Sequence, residues 1–450
     1  MSLFRTAAVP ISCPFKGPLI FSYSHGDGDC ELPISSVESC TQDSRLLFRY
    51  QACVDVVASE SVDVEIECIA IWKESSANNL VARLHYPRKS TNEDSYRCFI
   101  YEQVSSTLWN LAQSEDASCN GLISVTEAAR TFKMKQRNLS DRCSYPSWVV
   151  NNKLWVALDP IASRLHVSTH NLTIINRQEI RLECYSIVPL SDREENPDRE
   201  TQVQYISKAT LDCTNGFVCM MFYRRDTHII ELQLSEWSQL AEDACNATIF
   251  NPYSAPYTTF ITPDPMTKQC PSLGRYKIMS VLHTQSGDKM DNILGADSEP
   301  MVDIAEFEDV RDTSTPYPEE CTYDLDIGCN IPDRMEFSTS CNDETPPEYS
   351  CHGAWIENDI VYLVASTEKG RYCLVYTAST LAGVREISMT GYLASCPRTP
   401  YQHAVSWQLN LTSYALCGDS SLATSWTFRI SASAYILAVI GTLFGRYIAR

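Results

Sequence analysis

Twenty cysteines are the residues here best suited to chemistry, and their types and spacing leave two choices, zinc ligation or disulfide formation. No Cys-x-x-Cys pair occurs, and the eight histidines do not cluster with thiols at ligand spacing, so zinc is disfavoured. An even count far above ordinary usage reads as a disulfide framework in an oxidising compartment. Seven cysteines near the front, Cys13, Cys30, Cys40, Cys53, Cys68, Cys98 and Cys119, recur in order as Cys270, Cys321, Cys329, Cys341, Cys351, Cys373 and Cys396. Cys143, Cys184, Cys213, Cys219 and Cys245 lie between the two sets, and Cys417 follows them.

Other chemistry is sparse. Gly-x-Ser-x-Gly elbows, His-Glu-x-x-His helices and Gly-x-x-x-x-Gly-Lys loops are absent. Asp324-Leu325-Asp326-Ile327-Gly328 faintly resembles the start of a calcium loop but lacks the remaining ligands, so an ordinary turn between half-cystines is favoured. His352, in Cys351-His352-Gly353, is the most suggestive titratable residue. Ile69 holds the matching place after Cys68, and no partner nucleophile is assignable, so a structural histidine is favoured. Arg224-Arg225 beside Asp226 reads as a solvated hairpin tip. A triad assembled from distant Ser, His and Asp stays open, because such sites are recognised by geometry. No catalytic residue, cofactor or metal is therefore expected. Four sequons, at Asn138, Asn171, Asn246 and Asn410, are candidate glycosylation acceptors.

The elements that would position these residues are strands. Val62-Asp63-Val64-Glu65-Ile66-Glu67-Cys68 and Asp359-Ile360-Val361-Tyr362-Leu363-Val364 alternate with period two and are rich in β-branched and aromatic residues. Trp72 and Trp355 each follow a cysteine by four residues, which on an uninterrupted strand places each on its cysteine's face and suggests packing against that disulfide. Asn215-Gly216, between Cys213 and Cys219, predicts a hairpin turn into Met220-Met221-Phe222-Tyr223, with His228 to Leu234 as its partner or the next strand. The neighbours of the cysteines recur as well: Cys13-Pro14 and Cys270-Pro271, Cys68 and Cys351 with their tryptophans, Arg97-Cys98-Phe99-Ile100-Tyr101 and Tyr372-Cys373-Leu374-Val375-Tyr376. This is internal duplication.

The fold expected is mainly β, with tandem disulfide-stabilised β-rich modules, two related outer ones around a divergent middle one, plus a C-terminal hydrophobic helix. Cysteine parity suggests boundaries. Residues 1–12 form an N-terminal segment without a recognisable signal peptide, 13–104 a first module and 105–255 a divergent second. Residues 256–395 form a third module with an acidic insertion at 287–320, followed by a short terminal unit at 396–425 and a hydrophobic segment at 426–450. Assigning Cys119 and Cys396 to the following unit makes every module even, although six cysteines still allow fifteen pairings. Ser191 to Glu200 reads as a second charged insertion. The apolar run from Ile430 to Phe444 suggests membrane attachment through residues 430–448, as a single spanning helix with Arg446 and Arg450 inside or as a glycolipid-anchor signal after Gly418 to Ser421. A net charge of -20 argues against nucleic acid and disfavours anionic lipid headgroups.

Together, Cys13-Pro14-Phe15 with Phe21-Ser22-Tyr23, Cys40 through Cys53, Tyr96-Arg97-Cys98, Asn215 to Cys219, His228 to Leu232, Tyr349 to Gly353 and Arg371-Tyr372-Cys373 resemble a family of arthropod extracellular, membrane-attached proteins made of consecutive cysteine-rich domains of unknown function. The resemblance spans Cys13 to Cys417 and implies secretion, with no catalytic residues to carry over. The functional expectation is a non-enzymatic glycoprotein on the extracellular face of the plasma membrane, with an interaction or matrix role and an unknown extracellular protein or glycan partner. The alternative is an extracellular hydrolase with a non-local active site.

Overall fold

The computed structural model describes residues 8–74, 77–85, 95–137, 143–189, 201–282, 322–340, 348–381, 384–398 and 405–417. Their regular structure is almost all β, and it forms three closed barrels of eight strands each. The first barrel runs β1 Leu19–Ser24, β2 Asp29–Ser39, β3 Arg45–Tyr50 and β4 Val62–Glu74. It continues with β5 Ala77–His85, β6 Tyr96–Ser105, β7 Leu108–Gln113 and β8 Arg130–Gln136. After a four-residue helix α1 Ser147–Val150, the second barrel has β9 Leu154–Ala157, β10 Arg164–Val167, β11 Asn171–Ile175 and β12 Glu179–Val188. Its remaining strands are β13 Gln202–Leu211, β14 Thr214–Arg224, β15 Ile229–Leu234 and β16 Thr258–Ile261. The third has β17 Gly274–Leu282, β18 Tyr323–Ile327, β19 Arg334–Thr339 and β20 Glu348–Glu357. It closes with β21 Ile360–Thr367, β22 Gly370–Leu381, β23 Val384–Tyr392 and β24 Val405–Ala415.

In each barrel consecutive strands are neighbours and the eighth returns to the first, so no sheet edge is left to pair with another chain. Period-two alternation supplies the interior: in β1, Leu19, Phe21 and Tyr23 point in and are buried, while the residues between them are half-exposed. Phe21 meets Phe48, Tyr50 and Phe132 at ring separations of 5.3 to 5.7 Å, which fills the first barrel with aromatic side chains.

By contact density the chain divides into two compact units. Unit 1 holds Met1–Leu154, Arg164–Met221 and Leu234–Ala255; unit 2 holds Trp155–Ser163, Phe222–Gln233 and Pro256–Arg450. The division passes through the second barrel, so most of β9 and β15, and all of β16, group with the third barrel.

Nine disulfides join the eighteen described cysteines; Cys321 and Cys341 lie outside the described residues. Two staples recur in all three barrels. One ties the segment before the first strand to the fourth strand, as Cys13–Cys68, Cys143–Cys184 and Cys270–Cys351. The other ties the sixth strand to the loop after the seventh, as Cys98–Cys119, Cys219–Cys245 and Cys373–Cys396. The middle module therefore shares its neighbours' architecture.

These pairs correct the parity division. Cys119 and Cys396 close the barrel before them, and β24 completes the third barrel, so 396–425 is no separate unit. The parity argument assumed that disulfides stay within modules. The cysteine just past β2, Cys40, breaks that rule by bonding Cys213, in the turn between β13 and β14 of the next barrel. The matching Cys329 reaches forward to Cys417.

Two local expectations also change. The hairpin joining β13 to β14 turns at Asp212 and Cys213, with Asp212 at φ +52°, and Asn215-Gly216 lies inside β14. The tryptophans leave their cysteines' faces because each fourth strand has a register shift just after its half-cystine: Cys68/Ala70, Cys184/Ser186 and Cys351/Gly353. One extra residue there turns the following side chains to the opposite face. Cys68 and Cys351 pack in the barrel interiors, whereas Trp72 lies outside with Cys98, and Trp355 with Cys373 and Cys396.

The expected C-terminal helix and the 430–448 membrane segment lie outside the described residues, as do both charged insertions. Among the described residues no helix is long and apolar enough to cross a membrane.

Candidate functional site

The residue displaced by each bulge differs between barrels: Ile69, Tyr185 and His352. A bulge re-aims a side chain, and in the third barrel the re-aimed side chain is titratable. Ile69 and His352 are both buried, at 4% and 5% exposure, while Tyr185 is 53% exposed and meets Phe217 edge-on. His352 Nε2 lies 2.7 Å from the Ser366 hydroxyl on β21, and Nδ1 lies 3.4 Å from the Met266 carbonyl. The carbonyl can only accept, so Nδ1 carries the proton and Nε2 accepts from Ser366. Burial pushes the His352 pKa below the ordinary imidazole value, helped by Arg371 and His228, so the ring is neutral at pH 7.

A neutral imidazole accepting from a serine hydroxyl is the elementary arrangement for activating that hydroxyl. The same contacts also anchor the segment leading into β17. His352 meets the Met266 carbonyl, the Lys268 amide donates to the Cys351 carbonyl at 2.8 Å, Arg371 donates to the Pro263 carbonyl, and Lys268 pairs with Asp226.

A second cluster in unit 2 gathers Arg225 and Trp355 around Glu231, Glu357 and Arg398, three residues to which the sequence reading gave no role. Glu231 on β15 is fully buried. Its carboxylate accepts from Arg225 at 2.7 Å, from Arg398 at 2.6 and 3.0 Å, and from the Thr259 hydroxyl at 3.2 Å. Glu357 takes both guanidinium groups as well, at 3.1 Å from Arg225 and 2.8 Å from Arg398. Arg398 lies over Tyr257 and Tyr362, 4.1 and 4.4 Å from the ring centres, and Trp355 stacks on Tyr362 at 5.4 Å. Burial alone would lower the Arg398 pKa, but Glu231 and Glu357 hold it above the ordinary guanidinium range. Two cations and two anions neutralise one another, so the cluster holds strands together and offers no unbalanced charge to a ligand.

Arg225 is thus no solvated hairpin tip, though Arg224 is exposed. The signal that could have found the cluster is Glu231 inside His228-Ile229-Ile230-Glu231-Leu232-Gln233-Leu234, because an acid in a strand with apolar residues on both faces demands a partner.

Asp324 and Asp326 lie on β18; Asp326 caps the turn that follows, accepting from the Cys329 amide at 2.9 Å, and also pairs with Arg275. No group of three or more candidate ligands gathers for a metal among the described residues. Asn171, Asn246 and Asn410 are exposed, and Asn138 lies outside the described residues.

Residues 9–136 match a family model described as domain of unknown function DUF7042, and residues 139–259 match domain of unknown function DUF7043. The matches cover the first and second barrels in turn. No curated protein matches the chain. Among solved structures, the Pseudomonas aeruginosa protein OccK2 (OpdF) aligns over 89% of this chain and 95% of its own at 9% identity, with a TM-score of 0.11, too low to inform fold or function.

Proposed function

We propose that this chain, two consecutive domains of unknown function followed by a third barrel of the same build, is a non-enzymatic glycoprotein of the cell surface that works by binding an extracellular partner. The observation that carries the reading is the repeated stapling of closed barrels packed with their own side chains. Such barrels leave their outer faces and loop ends as the working surface. The disulfides fit an extracellular or secreted protein, and the exposed Asn171, Asn246 and Asn410 suit glycan attachment.

The test expresses the full chain in a secretory host. Surface biotinylation, a mobility shift on enzymatic deglycosylation and saturable binding to an array of extracellular domains are expected. Chain retained inside the cell, or surface chain that captures nothing on such an array, would overturn the reading.

A second reading, an extracellular hydrolase, is favoured by one observation, the 2.7 Å contact of His352 Nε2 with Ser366. Covalent labelling by a fluorophosphonate, abolished by Ser366→Ala and by His352→Gln, would establish it. Unlabelled protein would remove it.

A further inference from the structure

One end of the first barrel carries an apolar surface whose construction goes beyond what the barrel needs. Between Tyr23, paired with Cys30, and Phe21, paired with Ser35, β2 holds four residues where β1 has one. These four residues, Glu31 to Ile34, are exposed, with Leu32 at 72% and Ile34 at 55%. This segment is pinned on both sides to the loop after β3. Cys30 is bonded to Cys53 with the Cα atoms 5.6 Å apart, and the Gln51 amide donates to the Ser35 hydroxyl at 3.0 Å. That loop holds out Val54 at 100% and Val57 at 76% exposure.

The loop has a fixed shape. The Ala52 amide donates to Ser61 at 3.0 Å and the Cys53 amide to Ser59 at 2.9 Å, and the Ser59 hydroxyl turns back to the Cys53 and Val56 carbonyls. Four aliphatic side chains are thus displayed on a preorganised, covalently clamped platform. This is the arrangement that lowers the ordering cost of binding, and clustered exposed aliphatics mark interaction sites.

Acids outnumber bases around the platform, where Lys133 is the cation that acts on Glu31. Asp27, Glu31 and Asp55 are exposed and make no ion pair among the described residues, while neighbouring Asp29 is neutralised by Lys133 at 2.6 Å. A second copy of this chain would bring the same acids against them, and an anionic lipid surface would be repelled. None of the four sequons falls in either segment.

We infer that the Glu31–Ile34 and Val54–Val57 segments form a docking surface for a cationic, amphipathic segment of an extracellular protein, with aliphatic residues against the platform and Lys or Arg against Asp27, Glu31 and Asp55. The inference rests on the binding reading above and names the site and chemistry of the partner.

The test uses the full chain and two synthetic peptide probes, one alternating Leu with Lys and one alternating Leu with Glu, titrated by fluorescence anisotropy. The Lys peptide is expected to bind. Its affinity should fall about tenfold or more in a Leu32→Ser/Val54→Ser/Val57→Ser variant, the scale of losing several buried aliphatic contacts. It should also fall in Asp27→Asn/Glu31→Gln/Asp55→Asn, with a flatter salt dependence. Retention of the Cys30–Cys53 link in a non-reduced digest confirms that both variants keep the platform. Equal binding of the two peptides, unchanged affinity in both variants, or dimerisation abolished by the apolar variant would overturn the inference. If the array partners bind the apolar variant as they bind the parent, this site fails while the binding reading stands; if nothing on the array binds the parent, the binding reading fails and the Lys peptide alone decides the site.

Discussion

Glu231 and Arg398 are separated by 167 residues and joined by two hydrogen bonds of 2.6 and 3.0 Å at a point where Glu231 has no exposure to solvent. The pair fastens β15 to the segment that follows the Cys373–Cys396 staple, so the last strands assigned to the second barrel are part of the third barrel's packing. Arg398→Met keeps the aliphatic stem and removes the charge. Arg225 still reaches Glu231, so the loss should lie at the low end for a broken buried pair, about 3 kcal/mol. Urea unfolding followed by tryptophan fluorescence measures it; a loss under about 1 kcal/mol, the scale of a surface ion pair, would show that the cluster is solvated.

The barrel strands were legible because a half-buried strand writes its burial into every second residue, as in Leu19, Phe21 and Tyr23. The duplication was legible because Cys68 and Cys351 hold the same fourth-strand place in their barrels. What could not be read depended on a single inserted residue or on distant partners. The bulge after each fourth-strand cysteine reverses the facing of Trp72 and Trp355, and no local residue type announces it: Ile, Tyr and His occupy the same place. His352 finds Met266 86 residues away, and the cluster around Glu231 is equally non-local. Cysteine parity failed for the same reason, since Cys40 has no partner within its own barrel.

The Cys40–Cys213 bond is expected in the secreted protein. Its partners are drawn together by more than sulfur: the Thr41 amide donates to the Asp212 carbonyl at 2.8 Å, Arg181 to the Cys40 carbonyl at 3.2 Å, and Lys208 pairs with Glu38 at 2.8 Å. A non-reduced proteolytic digest should therefore yield a Cys40 peptide linked to a Cys213 peptide by mass spectrometry. Cys40→Ser should leave Cys213 open to alkylation and lower stability by about 2 to 4 kcal/mol. A linkage of Cys40 within its own barrel would refute the pairing.

Gly391 makes room for an indole. A Cβ at this position would lie 2.5 and 2.7 Å from Cε2 and Cζ2 of Trp407, which is buried in the third barrel and meets Tyr349 edge-on. Gly391→Ala should cost about 1 to 3 kcal/mol by overpacking, read as a lower urea midpoint with unchanged slope. A larger cavity made by Trp407→Phe in the same background should recover part of it; no difference between wild type and Gly391→Ala would show that the indole sits elsewhere.

Acid should weaken the fold through two histidines whose pKa folding lowers, the buried His352 and the half-buried His25. Burial lowers the pKa of His352 in unit 2, and burial with the neighbouring Arg130 lowers that of His25 in unit 1. Above about pH 6.5, the ordinary imidazole value, both rings are neutral folded or unfolded and contribute no pH dependence. As pH falls below that value the unfolded chain takes up protons first, so stability declines until the folded-state pKa is passed. His352→Gln retains a hydrogen-bonding side chain for Ser366 without a titrating ring. Thermal midpoints measured from pH 7.5 to 5 should fall for the wild type and fall less steeply for His352→Gln; parallel profiles would mean that His352 does not titrate with unfolding and is solvated in the folded protein.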